Sequence, residues 1–270
     1  MDFRPISGEH SVQSAVFTVF FDGAVHPSAV QYLQTRSDLL RDLPAVQQPQ
    51  AIEMLMTGTA PVSRPLSGVQ LSHLRPDGSA AWALRLVGNE LSVECTRYTR
   101  WRTVWKAAQA YLMAGLEAAG TRKENGRKVA VLGHNVLDVF VAQADPYNLS
   151  TLLKPSDLVA PKIFVAGSTW HNHVGWFEPL NAGNVAWLIQ VNIDAVRGPP
   201  GPLPAQTELR VQIMHNQELR FTAPVAIDEL TGELDARMNK LHLMNKHILS
   251  ELLTAEMARQ IGLGEQNESA

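Results

Sequence analysis

At 270 residues, 45% of them apolar and 18% charged, the chain is long enough for one large domain or two small ones and too apolar for wholesale disorder. A net charge of −3 and a pI of about 6.3 leave no broad basic surface, which argues against generic nucleic-acid binding. The single cysteine, Cys95, excludes an internal disulfide framework and a Cys-rich zinc site.

The opening MDFRPISGEHSVQ has neither a basic n-region nor an apolar h-region, so no secretory signal is expected. No window approaches 18 uninterrupted apolar residues, so no membrane span is expected, and the chain reads as cytoplasmic. Ala15 to Phe21 (AVFTVFF) is β-branched and aromatic and stops at Asp22-Gly23, a strand followed by a turn. His26-Pro27-Ser28 opens a helix with Val30, Leu33, Leu39, Leu40 and Leu43 on its apolar stripe, and Pro44 ends it. Ala45 to Ser67 reads as a long connection with one helical turn at AIEMLM. Val69–Leu74, Ala80–Leu86 and Leu91–Thr96 read as an antiparallel meander turning at Arg75-Pro76-Asp77-Gly78 and Gly88-Asn89. Cys95 falls in the third of these strands and reads as a small buried apolar side chain.

Trp101, Trp105, Ala108, Leu112, Gly115 and Ala119 then recur at three- and four-residue spacing. They predict a long amphipathic helix lying on the sheet and stopping at Gly120. The segment TRKENGRK is a charged turn, and Val129 to Val141 is a strand in which Gly133-His134-Asn135 suggests a bulge. Lys162–Gly167 reads as a short strand, with further strands at Ser168–Phe177, Val185–Ala195, Thr207–His215 and Leu219–Val225. Turns are expected at Leu180–Asn184 and in the Pro/Gly-rich Arg197–Pro204. Leu234 to Ile261 carries a second core-facing helical stripe, broken where Thr254 can cap a last helix. The tail GEQNESA reads as frayed.

The expected fold class is α+β, in two similar halves, each an antiparallel sheet packed by one long amphipathic helix. The boundaries are 1–145 for the first half, 146–159 for a Pro- and Ser-containing connection, 160–263 for the second half and 264–270 for the tail. One continuous sheet with both helices on the same side is the alternative.

Three residue sets carry candidate chemistry. His171 and His173 stand at i and i+2 of a predicted strand, so they share a face about 6–7 Å apart, a spacing metal sites use. His215, or Glu178, is the candidate third ligand, and a divalent metal with an open position would activate water there. Trp170 and Trp176 beside His173 would line a ligand or partner groove, although six tryptophans are mostly accounted for by core packing. Arg97, Arg100 and Arg102, with Lys106 and the aromatic Tyr98 and Trp101, would suit phosphates or single-stranded nucleic acid; a solvated helix face is the plainer reading. Phosphate-loop, dinucleotide, nucleophile-elbow and HExxH motifs are absent. Asp138, Asp145 and Asp194 lie near strand ends without an evident acid–base partner.

The early strand and helix with Leu43-Pro44, the pair Tyr98 and Trp101, the segment Leu234-Asp235 to Leu241-His242 and the Leu253-Thr254 break together resemble a sporadically distributed family of uncharacterised bacterial proteins of roughly this length. That resemblance implies an accessory role and carries no catalytic residues. The leading expectation is therefore a cytoplasmic protein-interaction or accessory protein, binding another protein or itself as a homodimer, in a defence or mobile-element setting. A metal-dependent enzyme at His171, His173 and His215 and a nucleic-acid-binding module at the arginines are the alternatives.

Overall fold

The structure is a computed structural model and describes residues 2–57, 60–120, 126–179, 185–198 and 208–263. The turns expected at 121–125 and 180–184, most of the Pro/Gly-rich loop and the tail 264–270 lie outside the described residues. The fold is α+β, built on a large antiparallel sheet with helices packed against it.

In chain order, β1 (Phe3–Pro5) and β2 (Val12–Phe21) precede two short helices, α1 (Pro27–Thr35) and α2 (Ser37–Asp42). His26 caps α1, its Nδ1 accepting from the Ser28 amide at 3.1 Å. One helix was expected here, but Arg36 is extended and separates two. Its guanidinium donates to Asp38, Glu117 and Tyr32, which holds the chain at the break. The expected long connection is instead strand: β3 (Ala45–Gln47), then β4 (Ala51–Thr57) and β5 (Ala60–Leu66), the last two forming a separate two-stranded sheet. Pro61 and Pro65 in β5 obscure it in the sequence. A two-stranded sheet tolerates them because each strand has an unpaired outer edge.

The meander follows as β6 (Gly68–Leu74), β7 (Ala80–Val87) and β8 (Glu90–Cys95), then α3 (Trp101–Gly120). Trp101, Trp105, Ala108 and Leu112 are buried as their spacing predicts, and Cys95 is buried, which pushes its thiol up to about 11. β9 (Val129–Ala142) carries no bulge at Gly133: Gly133 pairs with Thr18 on one side and Glu218 on the other. The glycine instead allows close approach, because a Cβ there would collide with Thr18 Oγ1.

A short 3-10 helix, Pro161–Val165, stands where a strand was expected. Pro161 starts it, and the Asn172 side chain holds the turn before it by accepting from Ala160 N and donating to Leu158 O. β10 (Trp170–Pro179), β11 (Val185–Arg197) and β12 (Leu209–Val225) complete the strands, β12 joining two segments expected to be separate. α4 (Ile227–Leu252) and α5 (Ala255–Gln260) end the fold, with Thr254 capping α5 as expected.

The main sheet runs β10-β11-β12-β9-β2-β8-β7-β6-β3, with β1 also on β9. β9 is bonded along most of its length to β2 and to β12. α3 packs on β8 and β7, and α4 on β9 and β12. The two helices meet over the centre, where Trp101 Nε1 donates to Asn239 Oδ1 at 2.8 Å and Trp105 Nε1 to Asp235 Oδ1 at 2.6 Å. The segment 146–159 adds Leu149, Leu152, Leu153 and Val159 to the same core. No described helix is long and apolar enough to cross a membrane.

The seat of α3 on β8 is tight. A Cβ at Gly115 would overlap the fully buried Leu91 side chain. Gly115→Ala adds about 1 kcal/mol of helix propensity but overpacks a closed core at a cost of about 1–3 kcal/mol. The expected result is a net loss of up to about 2 kcal/mol, read as a lower urea midpoint with an unchanged m-value.

Candidate functional site: a polar-floored cleft between α3 and α4

The helix-covered face of the central strands is not uniformly apolar. Ser11, His134, Asp138, His215, Gln217 and the α4 residue Asn245 are all buried there. Alternation along β9 puts His134, Val136 and Asp138 on this face. Lateral pairing sets Gln217 beside His134 and His215 beside Val136.

A directed chain of hydrogen bonds fixes His134. Gln217 Nε2 donates to Asn245 Oδ1, and Asn245 Nδ2 donates to His134 Nδ1 at 3.0 Å. A neutral imidazole that accepts at Nδ1 carries its proton at Nε2. Burial first, then His242 and His215, hold His134 well below the usual imidazole range, so it stays neutral. Its Nε2 is buried and meets no hydrogen-bond partner among the described residues. Phe17 stacks on the ring at 4.9 Å.

Asp138 is held differently. Ser11 Oγ donates to its Oδ1 at 2.6 Å. Burial raises the carboxyl from the usual 3.8 to about 6, although the Ser11 bond opposes the rise. His215 Nε2 lies 3.6 Å from Asp138 Oδ2. Burial lowers His215 to about 4, so near neutral pH the imidazole is uncharged and the contact is not an ion pair.

Above this floor the helices leave a cavity of about 820 Å³, lined by His134, Val136 and Asp138 below. Its walls include Trp101, Trp105 and His242. These rings form a column, His242 on Trp101 at 3.9 Å and Trp101 on Trp105 at 5.8 Å, both nearly parallel. Burial takes His242 down to about 3, with Lys246 adding to the effect. Arg100, Arg102 and Lys106 from the start of α3 and Lys246 from α4 also line the cavity.

Arg100 and Arg102 are thus part of this cleft, while Arg97 is exposed and is not among its lining residues. Trp170 and Trp176 stand on β10, half-buried, their N–H groups given to Tyr147 and Glu178 at 3.0 Å each. Neither lines the cleft. His171 and His173 share one face as expected, their rings 5.5 Å apart, and His173 meets Asp194 at 3.1 Å. His215 does not join them. His173 pairs with Asn192 and through it with Met214, whereas His215 pairs with Val191 and through it with Val174. His215 therefore points into the core and the other two away from it, with the sheet between. The expected three-histidine metal site is corrected accordingly, and no group of three or more His, Cys, Asp or Glu among the described residues is placed to hold a metal ion.

The residues that sequence reasoning passed over are His134, His242, Asn245 and Ser11, with Asp138 noted but unpartnered. One signal was available. Asn245 continues the apolar stripe of α4 four residues after Leu241, and a polar residue on such a stripe requires a polar partner below. No family model matches the chain, and no curated protein matches it.

The Asp138 geometry predicts a pH signature. The folded chain binds this proton more tightly than the unfolded chain does, so its contribution to stability is present below about pH 4 and is lost as pH rises through about 6. The rise from 3.8 to about 6 corresponds to about 3 kcal/mol. Asp138→Asn keeps the Ser11 contact without the charge. Urea unfolding of both proteins should show the variant gaining on the wild type by up to about 3 kcal/mol between pH 4 and pH 7.5; a pH-independent difference would contradict the assignment.

Proposed function

We propose that the protein binds a small anionic molecule in the cleft between α3 and α4, and that any accessory role is exercised through that ligand. The observation that carries this reading is the coincidence of an 820 Å³ cavity and a basic rim of the exposed Arg100, Arg102 and Lys106. The volume falls within the about 300–1,000 Å³ common for ligand pockets. Arg100 and Lys106 form no ion pair with a carboxylate among the described residues. They are therefore available to an incoming anion. In this reading Arg100 and Arg102, considered for nucleic acid, serve a smaller ligand.

We also propose that the chain consists of two halves on one plan. The strand order supports this: outward from the β2–β9 pair, β8-β7-β6 on one side corresponds to β12-β11-β10 on the other, and each meander is followed by a long helix. The cleft then lies on the seam between halves.

Calorimetry with ribose 5-phosphate at low ionic strength tests the binding reading. Binding is expected, and reversing two rim charges with Arg100→Glu/Lys106→Glu should weaken it by at least about tenfold. Failure of the wild type to bind would end this reading.

A further inference from the structure

We infer that β10 is a dimerisation edge: two copies of the chain pair through it, antiparallel, so that their main sheets join into one. β10 ends the main sheet, and among the described residues no strand pairs with its outer side. Open edges are usually blunted by short length, lysines, prolines or bulges. The other end of the sheet follows that rule, closing on the three-residue β3. β10 does not. It has ten residues, WHNHVGWFEP, with no lysine or arginine and with proline only at its last position. It pairs with β11 without a bulge. The two most exposed large apolar side chains described also lie here. They are Phe177 on β10, at 60%, and Val165 at the end of the 3-10 helix packed against it, at 75%.

The neighbouring strands fix which backbone groups of β10 are free. In an antiparallel pair, alternate residues bond to the partner strand and the others turn their N–H and C=O to the opposite side. Gly198 N donates to Glu208 O at 2.8 Å, so the even-numbered residues of β11 are those bonded to β12. Its odd-numbered residues therefore bond to β10, where they face Trp170, Asn172, Val174, Trp176 and Glu178. His171, His173, Gly175 and Phe177 are left with backbone N–H and C=O groups directed outward. Pro179 follows in the same phase, where its missing N–H costs no bond to β11.

This outward set is self-complementary, which assigns the edge to a second copy. With Gly175 opposite the partner's Gly175, a two-fold axis perpendicular to the sheet sets Phe177 against the partner's His173, and the reverse, all in bonding phase. The same axis keeps both helix layers on one side. The exposed Phe177 gains an imidazole neighbour. On the helix side Val174 meets the partner's Trp176, an aromatic–β-branched pair that favours strand association. Glu178, the one carboxylate of β10, meets the partner's Asn172 and no like charge. Because each copy uses the same patch, the pairing closes at two.

Sedimentation of the full chain over a concentration series, with amide hydrogen exchange at both ends of the series, tests the pairing. The mass should rise towards twice 29.7 kDa, and exchange at the His171, His173, Gly175 and Phe177 amides should slow as it rises. His173→Pro removes one outward N–H where an edge strand tolerates proline, and Phe177→Lys places a charge at an exposed position. Each should weaken dimerisation by about tenfold or more, whereas His173→Ala, which keeps the N–H, should weaken it less than His173→Pro does. If His173→Pro does not fold, Phe177→Lys and the exchange pattern carry the decision. A chain that stays monomeric up to about 0.1 mM would overturn the inference and leave the edge to an extended segment of another protein. A dimer whose outward amides exchange as fast as in the monomer would overturn it equally and move the interface elsewhere.

Discussion

The pairing of β2 with β9 is the constraint on which the rest of the structure depends. β9 is bonded on its other side to β12 and β2 on its other side to β8, so this pair joins everything before it to everything after it. Each long helix leaves the strand that flanks the pair, α3 after β8 and α4 after β12. Both must cover the same face, because the opposite face carries half-buried polar side chains such as Gln190, Asn192, Gln212 and Asn216. Two helices arriving from opposite sides meet above the β2–β9 seam. There the indole N–H groups of Trp101 and Trp105 reach α4.

At that meeting line a purely apolar floor would be the stable choice. Leu132 and Phe140, farther along β9, show that the strand supplies apolar residues where it packs conventionally. Between them it supplies His134 and Asp138. Each unsatisfied buried group costs about 1–3 kcal/mol, a substantial share of a total stability of about 5–15 kcal/mol. Asn245 and Gln217 orient His134 but leave its Nε2 unengaged. A network built only for folding would close on itself. This one stays open at both ends, since Gln217 Oε1 is also buried without a partner among the described residues.

Much of the fold was legible in the sequence. The stripes of α3 and α4, the Pro-Asp-Gly turn of the meander and the Thr254 cap depend on spacing within one segment, and each is found as read. The misreadings share another origin. The separate β4–β5 pair was masked by proline, which signals loop unless an open edge is known to exist. Gly133 suggested a bulge because the sequence does not reveal that Thr18 lies opposite it. The break at Arg36 rests on Glu117, far away in α3. In each case the deciding contact is distant along the chain.

The site was less legible than the fold, for a reason that can be put in terms of strand parity. Within one strand, alternation is reliable: His171 and His173 do share a face. Between strands, the face depends on register, and a shift of one residue exchanges inside for outside. His215 is opposite Val191 rather than Asn192, and that single step removes it from the His171–His173 side and places it in the core near Asp138. The same step aligns Gln217 with His134, which allows Asn245 to bond to both. The register of β12 against its two neighbours therefore separates one candidate site and creates the other, and no residue pattern within β12 alone records which would result.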